Sequence, residues 1–361
     1  MKRVLLASDS FKGTLSSTDI VNIAKDLIEK EFKDSWSLEY QYIADGGEGT
    51  IDAVKELLGG TIYEFKTFNS ENIEITSPLL LIDKDTALIE VAKVVGLPMI
   101  KNIIDPLKRT TKGIGILIKE AIKLNVKKIY IGLGGTSTND LGIGMLQELG
   151  INFNINEEIN MLNASKIKSL DSNDFILNNK NIEFVCLTDV TNTLLGNNGA
   201  TYVFGPQKGY QNNLKYLEEN AKHLCKIFEE ASNKDIKNIP GLGAAGGLAA
   251  AFYTFMNAKI VSGIEEILKL SNFKKKAMDA DIIITGEGSF DSQSLNGKVF
   301  TGILNNVNKD KLVIICGKNQ IQNLDIPIYT TSKPNDDFEY IKKHAKETYR
   351  ETLRIILKKY K

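Results

Sequence analysis

The sequence predicts an α/β protein of two domains. Short apolar runs alternate with helical segments at both ends of the chain, which is typical of a parallel sheet with right-handed crossovers. The middle of the chain differs from the ends because it is rich in short β-type runs. A length of 361 residues is enough for two domains. Segments rich in glycine and aspartate follow several apolar runs, and ligands of open α/β sheets bind beyond the carboxyl ends of strands.

The first elements alternate regularly. Residues 3–8 form a short apolar run that predicts a strand, and Ser16 and Asp19 offer capping groups for a helix that continues to about residue 31. Residues 38–44 predict a second strand. A second helix is expected over residues 49–58, ending at the glycine pair 59–60.

The pattern of the sequence changes after residue 60, from alternating strands and helices to short β-rich runs. Two short β-rich runs, residues 61–68 and 79–82, are joined by polar turns and predict antiparallel strands of a second domain. The Asn- and Ser-rich residues 152–181 predict surface connections. The remaining elements expected here are a helix at 110–123, strands at 127–131 and 184–187, and a long amphipathic helix at 213–232.

The end of the chain returns to α/β alternation. Residues 280–285, 311–317 and 326–329 are continuous apolar runs, as in strands buried on both faces of a parallel sheet. We therefore predict a discontinuous flavodoxin- or Rossmann-like domain from residues 1–60 and 275–361. Residues 61–274 would form an inserted mixed α/β domain, with the active site in the cleft between the two.

Composition excludes several classes of partner. The 45 acidic and 45 basic residues cancel, so no net field attracts nucleic acid or an anionic membrane. No apolar run is long enough to span a bilayer. The three cysteines show no paired spacing, which fits a reducing cytoplasm, and Cys186 and Cys316 lie in apolar runs that predict buried thiols. We expect a cytoplasmic monomer or homodimer whose partners are small molecules.

Composition also restricts the chemistry. Only two histidines are present, which argues against a histidine triad or a histidine zinc site. No P-loop motif occurs. Residues 241–246 match the Gly-x-Gly-x-x-Gly spacing, but a polar, proline-ended segment precedes them instead of the strand that a dinucleotide site requires. A closely packed or phosphate-binding helix start is the better interpretation.

Acidic residues follow the predicted strands at Asp9, Asp45, Asp189 and Glu287. Each could be a helix cap or a turn former, but together with the glycine loops they indicate binding of Mg²⁺ and phosphate. Residues 132–140 would supply free amides and a carboxylate at a strand-to-helix turn, although an ordinary glycine turn fits equally. Phosphoryl transfer needs charge stabilisation and an oriented hydroxyl, and it needs no histidine.

Taken in order, these segments resemble the bacterial type I glycerate kinases. The resemblance implies an ATP- and Mg²⁺-dependent kinase that phosphorylates D-glycerate, built from two α/β domains. Its landmarks are Asp9-Ser10-Phe11-Lys12-Gly13, Ala44-Asp45-Gly46-Gly47-Glu48-Gly49-Thr50, the loop of residues 134–140, Leu194-Leu195-Gly196 with Gly199-Ala200, Val203-Phe204-Gly205-Pro206-Gln207-Lys208-Gly209, Gly243-Ala244-Ala245-Gly246-Gly247 and Ile284-Thr285-Gly286-Glu287-Gly288.

The chain departs from that family at three places. Residues 134–142 read Gly-Gly-Thr-Ser-Thr-Asn-Asp-Leu-Gly where Gly-Gly-Ser-Ala-Thr-Asn-Asp-Gly-Gly is usual. Lys112 replaces a common tyrosine, and Ser289 replaces an arginine. Serine cannot clamp a carboxylate or phosphate as a guanidinium does. Either Lys112 or Lys298 supplies the charge instead, or the acceptor differs.

These comparisons suggest a role for each candidate residue. Asp189, Asp140 and Lys12 are the catalytic candidates, and Asp189 and Asp45 the metal ligands. The expected substrate-binding residues are Asp9, Ser10, Asp45, Glu48, Lys208 and Glu287. The expected nucleotide- and phosphate-binding residues are Gly134, Gly135, Thr136, Ser137, Gly243, Gly246 and Gly247. A kinase for a related hydroxy-acid and a non-catalytic metabolite-binding regulator are the alternatives, and the product could be 2- or 3-phosphoglycerate.

Overall fold

The computed structural model describes residues 1–178, 180–296 and 298–361. Its strands are β1 Lys2–Ser8, β2 Trp36–Tyr40, β3 Thr61–Phe68, β4 Glu74–Asp83, β5 Thr86–Glu90, β6 Lys128–Gly132, β7 Glu183–Leu187, β8 Lys259–Val261, β9 Ile282–Phe290, β10 Leu312–Asn319 and β11 Ile328–Thr330. Its α-helices are α1 Ser17–Leu27, α2 Thr50–Leu58, α3 Ala92–Val95, α4 Lys112–Lys123, α5 Ile143–Glu148, α6 Ala200–Phe204, α7 Leu214–Ser232, α8 Leu248–Met256, α9 Gly263–Leu270, α10 Phe273–Asp279, α11 Ser292–Asn296, α12 Lys298–Leu304 and α13 Phe338–Lys359.

One unit of the chain is discontinuous and combines Met1–Ala44 with Ile264–Lys361. Its five strands lie in the order β11-β10-β9-β1-β2, and every neighbouring pair is parallel. Counted within the unit and read from the other edge, this order is 2-1-3-4-5, which is the flavodoxin-like arrangement. The predicted parallel sheet is confirmed.

Local sequence explains the elements of this unit. The last five residues of β1 are buried, as expected for a strand covered on both faces. Ser16 caps α1 and forms a reciprocal capping box with Asp19, so the helix begins where the sequence predicts. The indole nitrogen of Trp36 donates to the carbonyl oxygen of Leu357 at 3.1 Å, which fixes α13 against this part of the unit.

The second unit is Asp45–Gly263 and contains a six-stranded mixed sheet in the order β3-β4-β5-β6-β7-β8. Strands β3, β4 and β5 pair antiparallel, and β5 to β8 pair parallel. The predicted antiparallel strands of the middle segment are confirmed. Helix α2 packs on β4 and β5 and belongs to this unit, which starts at Asp45, whereas the expected boundary lay at residue 60.

The segment of residues 152–178 is more than a surface connection. Its backbone is irregular, apart from one short 3-10 turn at Ala164–Lys166 and an isolated bridge. Its apolar side chains nevertheless enter the core of the second unit, and the expectation of a purely surface segment was wrong in this respect. The buried members are Phe153, Ile159, Met161, Ala164, Ile167, Phe175 and Leu177. Their irregular spacing gives neither a helical nor a strand period, so the pattern could not reveal them.

Two further points of the sequence analysis concern the state of the cysteines and the presence of membrane-spanning helices. All three cysteines are buried free thiols, as expected for Cys186 and Cys316. Within the described ranges, no helix combines the length and the apolar character that a membrane crossing requires.

Candidate functional site

A pocket of the first unit lies at the carboxyl ends of β1 and β9. These two strands are neighbours whose connections leave in opposite directions, and such a switch point is where open α/β sheets bind ligands. The pocket volume of about 350 Å³ suits a small ligand. The polar and glycine residues that line it are Asp9, Ser10, Lys12, Thr14, Glu287, Gly288, Ser289, Gly317, Lys318, Thr331 and Ser332.

Four candidates predicted from the sequence meet in this pocket: Asp9, Ser10, Lys12 and Glu287. Burial raises the pKa of the half-buried Glu287 carboxyl, the nearby negative charge of Asp9 adds to that effect, and Lys12 opposes it. The backbone N–H of Ser10 donates to Oδ1 of Asp9 at 2.6 Å, which orients that carboxylate. The pocket thus combines a carboxyl of increased basicity with a second carboxylate and a cation.

Sequence reasoning missed Lys318. In the register of β9 and β10, Lys318 lies opposite Ser289, and both residues line the pocket. The cation of Lys318 therefore lies beside Ser289, the position at which the glycerate kinases that this sequence resembles have arginine. Lys112 is in the second unit, with its Nζ 4.8 Å from the Phe68 ring centroid, and the side chain of Lys298 lies outside the described part of the chain.

In the second unit, three chain segments meet at the carboxyl ends of β6 and β7. The N–H of Gly134 donates to the carbonyl oxygen of Gly46 at 3.0 Å. A Cβ on Gly134 would overlap Cα of Gly47, and one on Gly46 would overlap the Leu187 carbonyl. The approach of backbone to backbone leaves no room for side chains, which explains these glycines.

The candidate metal ligands Asp45 and Asp189 lie next to these contacts. Asp45 is exposed and its Oδ1 accepts from the Gly47 N–H at 2.9 Å. Asp189 follows β7, is half-buried, and its Oδ1 accepts from the Ser262 hydroxyl at 2.8 Å. Glu48, a substrate-binding candidate, is exposed on the same loop as Asp45. The carboxylates of Asp45 and Asp189 therefore both lie at the carboxyl ends of the parallel strands of the mixed sheet.

Lys208 is a buried lysine whose side chain is joined to the glycine loop. Only 4% of the residue is exposed, and its Nζ donates to Thr136 Oγ1 at 3.0 Å and to the Thr138 carbonyl at 2.8 Å. Burial lowers the pKa of Lys208 to about 7, and the charge of Asp140 acts in the opposite direction. Lys208, expected at the substrate, thus lies among the residues expected to bind phosphate.

Asp140 is engaged entirely within the protein. It is 1% exposed and accepts from the N–H and Oγ1 of Thr111 at 2.9 and 2.8 Å. It also accepts from the N–H groups of Gly142 and Gly144 at 3.1 and 3.3 Å. Burial raises the pKa of this carboxyl and the four hydrogen bonds oppose the increase. Asp140 therefore fastens the start of α5 to the start of α4.

The glycine cluster of residues 243–247 packs on the loop of residues 134–140. Ala245, Gly246 and Gly247 have φ angles of 54°, 66° and 83°, and Gly247 caps α8 without a side-chain hydrogen bond. The Gly246 carbonyl accepts from the Leu141 N–H at 3.1 Å. The cluster thus presents backbone groups beside the loop.

Unsatisfied polar atoms lie at the contact of these two segments. A Cβ on Gly246 would overlap the Thr138 carbonyl and come 2.8 Å from Oδ1 of Asn139. Thr138 Oγ1 and both polar side-chain atoms of Asn139 are buried without a hydrogen-bond partner. Such groups carry a desolvation cost that a polar ligand would offset.

The remaining phosphate-binding candidates have defined local roles. Ser137 Oγ donates to the carbonyl oxygen of Val95 and is hydrogen-bonded to Ser70 Oγ, both at 2.8 Å. Gly135 has a φ of 71°, and the Gly243 N–H donates to the Asn192 carbonyl at 3.0 Å. Between α7 and the 3-10 turn Ala244–Gly247 there is no strand, so residues 241–246 lack the strand of a dinucleotide fingerprint.

Glu90 is another residue that sequence reasoning missed. It ends β5, is fully buried, and accepts from the N–H groups of Gly49 and Ile51 at 3.0 and 2.9 Å. Burial raises its pKa, and these two hydrogen bonds act against the increase. Glu90 therefore caps α2 and holds the loop that carries Asp45. The signal available in the sequence was an acidic residue at the end of an apolar run.

The chain matches the model of the glycerate kinase family over residues 4–359. The chain belongs to this family. Membership makes it a kinase, which transfers a phosphoryl group to a hydroxyl. A family member, the glycerate 2-kinase of Escherichia coli (strain K12), is 36% identical over 327 residues, covering 84% of this chain and 81% of its own.

Other glycerate kinase relatives agree. The glycerate kinase of Bacillus cereus (strain ATCC 10987 / NRS 248) is 38% identical over 322 residues, covering 83% of this chain and 81% of its own. A crystal structure from Salmonella typhimurium LT2, provisionally assigned as glycerate kinase 2, superposes with a TM-score of 0.85 at 31% identity. That match covers 99% of this chain and 98% of the other.

Proposed function

We propose that this kinase transfers the γ-phosphate of ATP, with Mg²⁺, to a hydroxyl of D-glycerate in the cytoplasm. Family membership supports the reaction class, and the names of the relatives support the acceptor. We further propose that the two units are the two domains of the enzyme and that each contributes groups to the reaction.

The pocket at the carboxyl ends of β1 and β9 carries the proposal. A hydroxy-acid acceptor needs a cation for its carboxylate and a proton acceptor for its hydroxyl. Lys12 and Lys318 supply positive charge, and Glu287, whose pKa is raised by burial, supplies the basic carboxylate. Lys318 would take over the role of the arginine that Ser289 replaces, which keeps an acid as the acceptor.

The second unit supplies the groups that would bind the phosphates of ATP. Burial lowers the pKa of Lys208 to about 7, and an anionic ligand would favour its charged form. The unsatisfied Thr138 and Asn139 side chains and the start of α8, to which no side chain gives a capping hydrogen bond, lie on the same loop system. These features support a site for negatively charged oxygen atoms.

We propose that Asp45 and Asp189 hold Mg²⁺. Among the described residues, no group of three or more His, Cys, Asp or Glu side chains has a geometry that could hold a metal ion. Mg²⁺ needs only one or two carboxylates, with phosphate oxygens and water completing its shell, so the two aspartates fit. When bound, the ion would neutralise charge on the transferred phosphate. Asp189 would also help to orient the acceptor hydroxyl.

The test is an assay of ADP release with Mg²⁺, ATP and D-glycerate, followed by phosphorus NMR of the product. We expect ADP release only when D-glycerate is present, and the NMR spectrum distinguishes 2-phosphoglycerate from 3-phosphoglycerate. Glu287→Gln should lose most of this activity. Release of ADP with another hydroxy-acid but not with D-glycerate would refute the proposed acceptor. Absence of release with every acceptor would favour the metabolite-binding regulator.

A further inference from the structure

A buried ion pair of the second unit joins two residues that no part of the proposed reaction uses. Arg109 and Glu71 are 1% and 4% exposed, and Arg109 Nη2 lies 3.8 Å from Glu71 Oε1. Glu71 Oε1 and Arg109 Nε lack hydrogen-bond partners. A buried pair with unsatisfied atoms is a poor device for stability, because desolvation of both charges is costly. Its contacts indicate another role.

The guanidinium of Arg109 holds the main chain of Lys208. Its Nη1 donates to the Lys208 carbonyl oxygen at 2.5 Å, and its Nη2 donates to Asn102 Oδ1 at 3.0 Å. Lys208 is the last residue of the 3-10 turn Pro206–Lys208 and stands immediately before Gly209, whose φ is 88°. The same lysine reaches Thr136 and the Thr138 carbonyl through its ammonium. Lys208 is therefore fixed at both ends.

The tip of the hairpin between β3 and β4, which carries Ser70 and Glu71, links the Arg109 segment to the glycine loop. Glu71 lies on that tip, and its Oε2 accepts from the Lys101 N–H at 2.9 Å. The Oγ atom of the neighbouring Ser70 is hydrogen-bonded to Ser137 Oγ at 2.8 Å, and the Ser70 carbonyl accepts from the Thr110 N–H at 3.0 Å. The tip thus contacts the glycine loop on one side and the Arg109 segment on the other.

We propose that Arg109 is a positioning residue, which keeps the Lys208 ammonium on the glycine loop by holding the Lys208 carbonyl. The inference rests on the proposed function, in which Lys208 and this loop bind the phosphates of ATP. Arg109 would act on ATP affinity only through Lys208, and Glu71 would keep the guanidinium in place.

The test measures binding of Mg²⁺ and a non-hydrolysable ATP analogue to the full chain by isothermal titration calorimetry. Arg109→Lys keeps a positive charge for Glu71 but loses the planar fork, so it should raise the Kd about tenfold. The double variant Glu71→Gln with Arg109→Met leaves no unpaired charge and should raise the Kd to a similar extent. Lys108→Met removes the exposed neighbouring cation and should leave the Kd unchanged.

The outcomes separate the possibilities. Structural damage alone would lower the stoichiometry of binding while the Kd of the folded fraction stays that of the unmodified chain, and this result would overturn the inference. A raised Kd at full stoichiometry in both Arg109 variants would support it. Absence of analogue binding by the unmodified chain would instead refute the ATP site of the proposed function, and the inference with it.

Discussion

Replacing Lys208 with methionine should abolish most of the activity and yet stabilise the folded chain at acidic pH. The ammonium of Lys208 is buried among Thr136 and Thr138, where its charge is poorly solvated. Methionine has a similar length and no charge, so it fills the same space without the desolvation cost. The activity would fall because the proposed phosphate site loses its cation.

The pKa of Lys208 determines the size of the effect. It falls from the ordinary 10.5 to about 7 in the folded chain. Each pKa unit corresponds to about 1.4 kcal/mol, so holding Lys208 protonated costs about 5 kcal/mol of folding free energy below pH 7. The cost declines as the pH rises from 7 to 10.5 and is absent above that value.

Lost hydrogen bonds partly offset the gain from methionine. The two hydrogen bonds of Nζ contribute about 3 kcal/mol together, which leaves a net stabilisation of about 2 kcal/mol at pH 6. Between pH 6 and pH 9 the advantage of methionine should shrink by about 2–3 kcal/mol, because the unmodified chain releases its buried proton. The variant should therefore be more stable at pH 6 and no more stable at pH 9.

Urea denaturation of both chains at pH 6 and pH 9, with the ADP-release assay beside it, measures these quantities. Lys215→Met removes an exposed lysine of α7 and should change stability by less than about 0.5 kcal/mol at either pH. A variant that is destabilised equally at both pH values would refute the argument from desolvation. Activity near that of the unmodified chain would show that Lys208 meets no phosphate.

Three further predictions concern the same loops. Asp189→Asn should lower kcat about a hundredfold or more without unfolding the chain, since asparagine can still accept from Ser262, and near-normal turnover would make Asp189 structural. EDTA should remove the activity and Mg²⁺ restore it, whereas full activity in metal-free buffer would exclude the proposed metal. Gly134→Ala should lower the free energy of unfolding by about 1–3 kcal/mol, because its Cβ would overlap Gly47. In the control Gly302→Ala, the nearest atom is 3.2 Å away, so equal losses in both variants would contradict the steric explanation.

Local signals in the sequence predicted much of the fold. The capping box of Ser16 and Asp19, and the glycine that ends α2, depend on residues within a few positions of each other. Continuous apolar runs identified the strands of the parallel sheet, and the change of texture after residue 60 identified the mixed one. Glycine- and carboxylate-rich landmarks in order gave the family, which the comparisons confirm.

Contacts between distant segments could not be predicted in the same way. Glu90 meets the loop of Asp45, Arg109 meets Lys208, and Lys318 stands opposite Ser289 only because particular strands and loops are neighbours. No local pattern records these pairings. The hydrogen bonds that Asp140 accepts from donors at two helix starts follow no local pattern either, and the catalytic role expected for this carboxylate stays a prediction.

The position of β1 in its sheet has a consequence for the synthesis of the chain. Strand β1 pairs with β9, and the Thr285 hydroxyl bonds to the Ala7 carbonyl across a separation of 278 residues. At about 5–20 residues per second, a ribosome adds the missing strand only after some tens of seconds. All of Asp45–Gly263 has been made by then. The backbone edge of β1 that pairs with β9 therefore has no partner strand while the mixed sheet acquires its strands, and chaperones would meet the nascent chain at this stage.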